Sequence, residues 1–344
     1  MTWSPSQWPT PLRLDVKAAR TDFPILKREM SGGRPLVYLD NSATTQKPQQ
    51  VIDAMSTYYR TSNSNVHRSA HTLAEEATLG FEESREKIRN WFGATESRVV
   101  FTSGTTEAIN LAAHSWAKVN LSEGDVVVLT EMEHHADIVP WQMLASEKGV
   151  ELRWVPFDLE TFELDMGAYE VAVQGASLVG AVHTSNVLGV RNPVELMVEL
   201  AHQAGAKILI DAAQAAPHDR IGFDSLGADF LALSAHKMGG PTGIGILLIQ
   251  EDAFQQMQPF MGGGDMIREV HFDYSTYQEN EHRFEAGTPR IAEAIGWGAA
   301  IDWLAKWDME SVHEHGLELA RFTADSLRSI PGMRVFGRQA ERDG

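Results

Sequence analysis

The stretch Phe230-Leu-Ala-Leu-Ser-Ala-His-Lys237 leads from an apolar run into a lysine, and Gly239-Gly-Pro-Thr-Gly-Ile-Gly245 follows shortly after it. The run Phe230–Ser234 predicts a buried strand, and open α/β sheets place their ligands at the carboxyl ends of strands. A lysine at such an end, beside a hydroxyl, an imidazole and flexible glycines, can form an imine with an aldehyde cofactor. An isolated lysine is more often an ordinary surface residue, so this stretch needs support from the rest of the chain.

Further short apolar or β-branched runs alternate with amphipathic stretches along the sequence. The strands predicted besides Phe230–Ser234 are 99–102, Val126–Thr130, Leu178–Val182, Lys207–Asp211 and Gly245–Ile249. Helices are predicted at 107–119, 137–147, 193–203, 289–306 and 309–330. This alternation predicts an α/β fold with a mostly parallel central sheet and helices on both faces, because several strands are apolar on both sides.

Length and composition limit the class of protein. The 344 residues, with 43% hydrophobic and 22% charged side chains, indicate a globular protein of about two domains. A formal charge of −18 disfavours nucleic acid and anionic membranes as partners. No run is apolar enough to span a bilayer and the N-terminus lacks a signal-peptide pattern, so we expect a cytoplasmic protein. The absence of cysteine excludes disulfides, thiolate metal sites and a cysteine nucleophile within these residues.

Two more predicted strand ends carry groups suited to a charged aromatic cofactor. Asp211, in Ile210-Asp-Ala-Ala-Gln214, can pair with a cationic ring nitrogen, although an aspartate there can equally cap the next helix. Phe101-Thr-Ser-Gly-Thr-Thr-Glu107 places hydroxyls and backbone N–H groups at a helix start, which suits a phosphate. Neither a Walker lysine nor a dinucleotide glycine pattern accompanies it, and Gly-Thr-Thr can also be ordinary capping.

The fourth such segment, Glu131-Met-Glu-His-His135, follows Val126–Thr130. A flat imidazole there can stack on a cofactor ring; zinc ligation or a structural role are the rival interpretations. Adjacent histidines suit one metal poorly, and we also prefer a non-metal interpretation for His67 and His71, which are four residues apart and could share a helix face. We therefore predict no metal site. A phosphate cradle, a stacking histidine, a pyridine partner and an imine lysine occur in this order, each at a strand end, and it is the combination that indicates pyridoxal phosphate (PLP).

The chain resembles the class V, fold-type I PLP enzymes, and within them the SufS-like (group II) cysteine desulfurases, from about Leu14 to about Phe336. The most specific matching blocks are Met132-Glu-His-His-Ala-Asp-Ile-Val-Pro-Trp-Gln142 and Arg283-Phe-Glu-Ala-Gly-Thr-Pro289. Further matches are Tyr38-Leu-Asp-Asn-Ser-Ala-Thr-Thr-Gln-Lys-Pro48, Val66-His-Arg-Ser-Ala-His-Thr72, Ser185-Asn-Val-Leu-Gly189 and Ser234-Ala-His-Lys237.

The resemblance implies roles for individual residues. Lys237 would be the Schiff-base lysine and proton shuttle, Asp211 the partner of the pyridine nitrogen, and Gln214 a contact of the phenolic oxygen. His134 would stack on the ring and take part in catalysis, and Asn186 would bind the substrate carboxylate. The phosphate would be held by Thr105, Thr106, Ser234 and His236, with Thr288 reaching it from the other subunit of a homodimer.

The resemblance also implies an activity: removal of sulfur from L-cysteine to give L-alanine and an enzyme persulfide, which passes to a SufE-like or SufU-like acceptor for iron–sulfur cluster assembly. The family's nucleophilic cysteine and the arginine that binds the substrate carboxylate lie in a small C-terminal domain, within an Arg-x-Gly-x-x-Cys type motif. We expect that this chain is a C-terminally truncated member. Two alternatives remain open: another class V activity, such as that of an aminotransferase, epimerase or kynureninase, and a non-catalytic PLP-fold scaffold.

The expected domain organisation follows the same resemblance. Residues 1–48 would contribute to the small domain, 49–306 would form the large PLP-binding domain, and 307–344 would begin an incomplete small domain. Within the last part, 333–336 is predicted to be a strand.

Overall fold

The computed structural model describes residues 3–67 and 70–337. The described residues do not include 1 and 2, Arg68, Ser69 or 338–344. The matched blocks and the expected domains extend over these positions. The strands are β1 (Glu29–Met30), β2 (Arg34–Pro35), β3 (Arg98–Thr102), β4 (Val126–Thr130), β5 (Glu151–Val155), β6 (Leu178–Val182), β7 (Lys207–Asp211), β8 (Phe230–Ser234), β9 (Gly245–Ile249), β10 (Ile267–Val270) and β11 (Ser275–Tyr277).

Helices separate most of the strands. They are α1 (Val16–Thr21), α2 (Gln49–Thr61), α3 (Thr72–Trp91), α4 (Thr105–Leu111), α5 (Lys118–Asn120), α6 (Val139–Lys148), α7 (Met166–Ala172), α8 (Val194–Gln203), α9 (Phe223–Leu226), α10 (Glu251–Gln255), α11 (Ile291–Leu304) and α12 (Met309–Arg328). A π-helical segment, Ala112–Ala117, makes α4 and α5 continuous. Short 3₁₀ helices include His135–Asp137, Ala235–Lys237 and Glu281–Phe284.

Seven strands form the central sheet, in the order β3-β9-β8-β7-β6-β4-β5. The five strands from β8 to β5 are parallel, and β9 is antiparallel to both its neighbours. The predicted α/β class with a mostly parallel sheet is therefore confirmed. All six predicted strands are present, β3 starting one residue early, whereas β5 was missed because its charged, half-exposed residues at the sheet edge interrupt the apolar pattern.

The two faces of the sheet bury separate apolar clusters. Along β7, Ile208 and Ile210 belong to one cluster and Leu209 to the other, as the two-residue period of a strand requires. Helices α3 and α11 cover the first face with Phe81 and Trp297. Both faces of the sheet are thus covered by apolar packing.

Two sequence predictions outside the sheet are wrong. Residues 333–336 do not form a strand: none of the described strands pairs with them, Met333 N donates to Ile330 O across a turn, and Phe336 remains 60% exposed. His67 and His71 do not share a helix face: His67 lies in a loop with φ 62°, and His71 caps α3 by accepting a hydrogen bond from Ala74 N. In the part of the chain that is described, no helix is long and apolar enough to cross a membrane.

The N-terminal residues pack where α11 and α12 meet. Leu12 N donates to Lys306 O at 2.9 Å, and Asp308 N donates to Leu12 O at 2.7 Å. Trp8 Nε1 also donates to Asp302 at 3.0 Å. These contacts show that the N-terminal segment packs against the last two helices. The domain boundaries 1–48, 49–306 and 307–344 stay a prediction.

A buried ion pair joins α3 to the sheet edge. Both guanidinium nitrogens Nη1 and Nη2 of Arg85 donate to Glu285, at 2.7 and 2.8 Å, and the two side chains are 3% and 5% exposed. Arg85 Nη1 also donates to Val99 O, and Glu285 accepts from Phe101 N, so both groups are tied to β3. A fully hydrogen-bonded pair of this kind fixes the relative position of the elements it connects.

We expect Glu285→Gln to lower the free energy of unfolding by about 3 kcal/mol, because it leaves the Arg85 cation buried without its main counter-charge. Urea unfolding followed by circular dichroism measures this loss. The matched control is Glu314→Gln, which breaks the ion pair with Arg13, 2.9 Å long and largely exposed, and should cost less than about 1 kcal/mol. Equal effects of the two substitutions would contradict a structural role for the buried pair.

Candidate active site

A cavity of about 410 Å³ lies at the carboxyl ends of the parallel strands. It is lined by nine of the ten predicted site residues: Thr105, Thr106, His134, Asn186, Asp211, Gln214, Ser234, His236 and Lys237. Its volume is in the range of sites for small ligands. Residues far apart in the sequence therefore meet where the parallel strands end, as the sequence pattern predicts.

Lys237 is the last residue of the 3₁₀ helix that follows β8. Burial lowers the pKa of its ammonium group, while the nearby Asp211 carboxylate acts in the opposite direction. A lowered pKa increases the fraction of neutral amine near pH 7, which is the form that attacks an aldehyde or takes up a proton.

Asp211, at the end of β7, is 3% exposed and accepts a hydrogen bond from Ala213 N at 2.9 Å. Burial raises the pKa of its carboxyl group, against the opposing influence of the Ala213 N–H, Lys237 and His134. Among the described residues, no basic side chain forms an ion pair with it. A cationic ring nitrogen in the cavity would supply that counter-charge, so this carboxylate fits the pyridinium of PLP.

The start of α4 has the opposite character from Asp211: it is suited to an anion such as the phosphate of PLP. Thr105 N donates to Ser234 Oγ at 2.8 Å, and the two hydroxyls are 2.7 Å apart. The approach of α4 to β8 and β9 requires Gly245, since a Cβ there would lie 2.5 Å from Gly104 Cα. Hydroxyls and helix N–H groups close together are suited to an anion, and this end of the cavity fits the PLP phosphate.

His134 and Gln214 are held by backbone contacts. His134 Nδ1 accepts a hydrogen bond from Ala136 N at 3.1 Å, which fixes the ring at the start of the 3₁₀ helix. Gln214 Nε2 donates to Ser42 O at 2.9 Å. Both side chains thus have defined orientations at the cavity wall before any ligand binds.

Sequence reasoning missed the contribution of the N-terminal segment. Thr45 Oγ1 and Lys47 Nζ both donate to His236 O at 2.9 Å, and Thr44 Oγ1 lies 3.2 Å from His236 Nδ1. Ser42 and Ala43 line the cavity itself. The motif Asn41-Ser-Ala-Thr-Thr45 is a signal for these contacts, but nothing in its local pattern identifies the partner almost 200 residues away.

Two carboxyl groups behind the cavity were also missed. Glu133 accepts hydrogen bonds from the Thr130 hydroxyl at 2.6 Å and Val182 N at 2.8 Å, and Asp137 accepts one from Trp141 Nε1 at 2.7 Å. Burial raises the pKa of both, to about 8 for Asp137. Burial therefore favours the neutral form of both carboxyl groups, which limits the negative charge beside Asp211.

Thr288 is the one predicted site residue that the cavity does not include. It is exposed, between the 3₁₀ helix Glu281–Phe284 and α11. Its assigned role depends on a second subunit, and it stays a prediction.

Comparison with known proteins identifies the family of this chain. The family model "Aminotransferase class-V" matches residues 37–344. A probable cysteine desulfurase of Synechocystis sp. is 47% identical over 320 residues, covering 92% of this chain and 76% of that protein. One from Streptomyces coelicolor is 44% identical over 330 residues, covering 94% and 79%.

Solved structures give the same result. The cysteine desulfurase CsdA from Escherichia coli superposes with a TM-score of 0.86 at 34% identity, covering 95% of this chain and 81% of that one. The apo cysteine desulfurase from Thermococcus onnurineus gives 0.84 at 37% identity, with coverages of 92% and 78%. The chain therefore belongs to the class-V aminotransferase family, within its group of cysteine desulfurase-like proteins.

Proposed function

We propose that the chain is a PLP-dependent cysteine desulfurase, which converts L-cysteine to L-alanine and transfers the sulfur to a thiol. The observation that carries this proposal is one cavity with a depressed-pKa lysine, a buried carboxylate lacking a cation and a hydroxyl-rich helix start. The names of its relatives supply the substrate.

Each of the cavity residues would contact a particular part of the cofactor. Lys237 would bind its aldehyde carbon, Asp211 its ring nitrogen and Gln214 its phenolic oxygen, and His134 would cover the ring. The phosphate would be held by Thr105, Thr106, Ser234 and His236, and Thr288 of a second subunit would also contact it. When bound, the cofactor supplies an electron sink for charge at the substrate Cα.

This chain's own residues then handle binding and protons. The neutral amine of Lys237 removes a proton from the substrate Cα and returns one to it, since burial has lowered its pKa. Asn186 orients the substrate carboxylate. Asp211 would hold a proton on the ring nitrogen of the bound cofactor, because a buried carboxylate stabilises a cation that it contacts.

Sulfur transfer requires a second thiol. In the overall reaction, L-cysteine and a thiol give L-alanine and a persulfide, so that no other oxidant or reductant is needed. The 344 residues contain no cysteine, so the acceptor thiol must lie outside them. We further propose that the chain forms a homodimer in the cytoplasm. It would pass the sulfur to a SufE-like or SufU-like acceptor for iron–sulfur cluster assembly.

We expect Lys237→Ala to abolish covalent attachment of PLP, because the only proposed amine partner is removed. The measurement is mass spectrometry of peptides after incubation with PLP and borohydride reduction. The matched control is Lys47→Met: burial lowers the pKa of Lys47 to about 8, but its ammonium group binds His236 O instead of lining the cavity. Label on Lys47 in the unmodified protein, or label retained at full stoichiometry in Lys237→Ala, would contradict the assignment.

We expect Asp211→Asn to weaken PLP binding by at least about 100-fold, because loss of one partner from a buried ion pair costs about 3 kcal/mol or more. Titration of the absorbance change with PLP measures the affinity. Asp229→Asn is the control, since Asp229 is also buried, at 4% exposure, but contacts Lys207 and His202 at the amino ends of β7 and β8, away from the cavity. An unchanged affinity in Asp211→Asn would remove Asp211 from the site.

The activity itself is tested by supplying the acceptor. With PLP, L-cysteine and excess dithiothreitol, we expect L-alanine and sulfide released by the thiol to form in equal amounts, and neither to form with Lys237→Ala. Formation of pyruvate or D-cysteine without alanine would instead favour another class V activity. PLP binding with no turnover of cysteine, despite the supplied thiol, would contradict a desulfurase activity of this chain.

A further inference from the structure

Three side chains from separate parts of the chain converge beside the buried Arg85–Glu285 ion pair. His67 precedes α3, Glu82 lies within α3, and His282 belongs to the 3₁₀ helix Glu281–Phe284. His67 Nε2 is 3.2 Å and His282 Nε2 is 3.9 Å from the same oxygen, Glu82 Oε1. One ligand atom from each residue can be chosen so that all three lie within 4.8 Å of one another.

The shared oxygen has no partner of its own. Glu82 Oε1 is inaccessible to solvent and makes no hydrogen bond of acceptable geometry among the described residues, although His67 Nε2 is near it. Glu82 therefore has one oxygen bonded to Arg85 Nε and the other within 3.9 Å of two imidazole nitrogens, which is the arrangement of a hydrogen-bonded carboxylate that binds a metal.

The groups behind these three residues hold them in position. Glu82 Oε2 accepts a hydrogen bond from Arg85 Nε at 3.0 Å. His282 Nδ1 is 3.4 Å from Glu285 Oε2, so a carboxylate supports the ring nitrogen that faces away from the cluster. Metal-binding histidines almost always have such a partner on their second nitrogen.

His67 is constrained through its backbone. Its φ of 62° lies in the left-handed region, which non-glycine residues seldom adopt, and its N–H donates to Thr78 Oγ1 at 3.0 Å. The conformation carries a cost, and it turns the imidazole towards Glu82 and His282. Such strain is found where a side chain must be aimed at a site.

In place of the non-metal interpretation that the sequence favours for His67, we propose that His67, Glu82 and His282 bind one divalent transition-metal ion, most suitably Zn²⁺. Two imidazole nitrogens and one carboxylate oxygen are a ligand set of zinc, whereas Mg²⁺ and Ca²⁺ prefer oxygen ligands alone. Tetrahedral zinc bonds of about 2.0–2.1 Å hold ligand atoms about 3.4 Å apart, and the observed 3.2 and 3.9 Å span this value. Water would complete the coordination, because His67 is partly exposed.

Bound metal would connect the loop before α3, α3 itself and the segment that leads to Thr288. His282 comes 200 residues after Glu82 in the sequence, so the ion would act as a cross-link in the folded state. The site is independent of the proposed desulfurase activity, because none of its three ligands lines the PLP cavity.

The test is Zn²⁺ binding to the tag-free chain after removal of metals with a chelator. Equilibrium dialysis against micromolar Zn²⁺, with elemental analysis, should give one tightly bound ion per chain, and the chain should melt at a higher temperature with Zn²⁺ than without it. His282→Ala should weaken this site at least about 100-fold and remove the thermal shift. His271→Ala is the matched control, because His271 also lies near a carboxylate, 3.6 Å from Glu269, but has no second histidine beside it.

A wild-type chain that takes up no stoichiometric Zn²⁺ would overturn the proposal. So would a His282→Ala chain, folded by circular dichroism, that binds Zn²⁺ as tightly as the wild type. If His282→Ala does not fold, His67→Ala in the exposed loop decides the question by the same measurement. Cobalt(II) gives an independent check: visible absorption bands typical of low-coordinate cobalt should appear in the wild type and disappear in either variant.

Discussion

The chemistry of the cavity depends on one buried carboxylate, Asp211. Water cannot solvate it, and no described basic side chain pairs with it, so its charge must be balanced from within the cavity. Glu133 and Asp137 lie behind it, and burial raises the pKa of both carboxyl groups, which favours their neutral forms. The site therefore favours a ligand with a cationic group at this end and an anionic group at the start of α4.

The site was predictable because its residues follow strands. Asp211, Ser234 and Lys237 come at or just after β7 and β8, whose apolar runs are unambiguous, and parallel strands end at a common edge. Residues that each follow a strand in the sequence are therefore neighbours at one end of the sheet. The same logic placed His134 after β4 and Thr105 after β3. Nine of the ten predicted residues line one cavity for this reason.

The features that the sequence did not predict are those with no local pattern. The contacts of Thr45 and Lys47 with the His236 carbonyl bridge about 190 residues, and only the folded chain brings them together. Strand β5 was missed because an edge strand can expose charged side chains such as Glu151 and Arg153. Residues 333–336 show the converse error: β-branched and aromatic composition predicts a strand only where a neighbouring strand is available.

Arg85 and Glu285 connect the fold to both sites. Their ion pair anchors α3 to β3, and β3 leads directly into the helix start that we propose as the phosphate cradle. The same two side chains support Glu82 and His282 through their remaining hydrogen-bonding atoms. A substitution of Arg85 or Glu285 would therefore affect three features. These are the packing of α3, the position of the helix start beside the cavity, and the geometry of His67 and His282. The block Arg283-Phe-Glu-Ala-Gly-Thr-Pro289, recognisable in the sequence as a motif, thus has a physical basis in Glu285, which pairs through both of its oxygens with the buried guanidinium of Arg85.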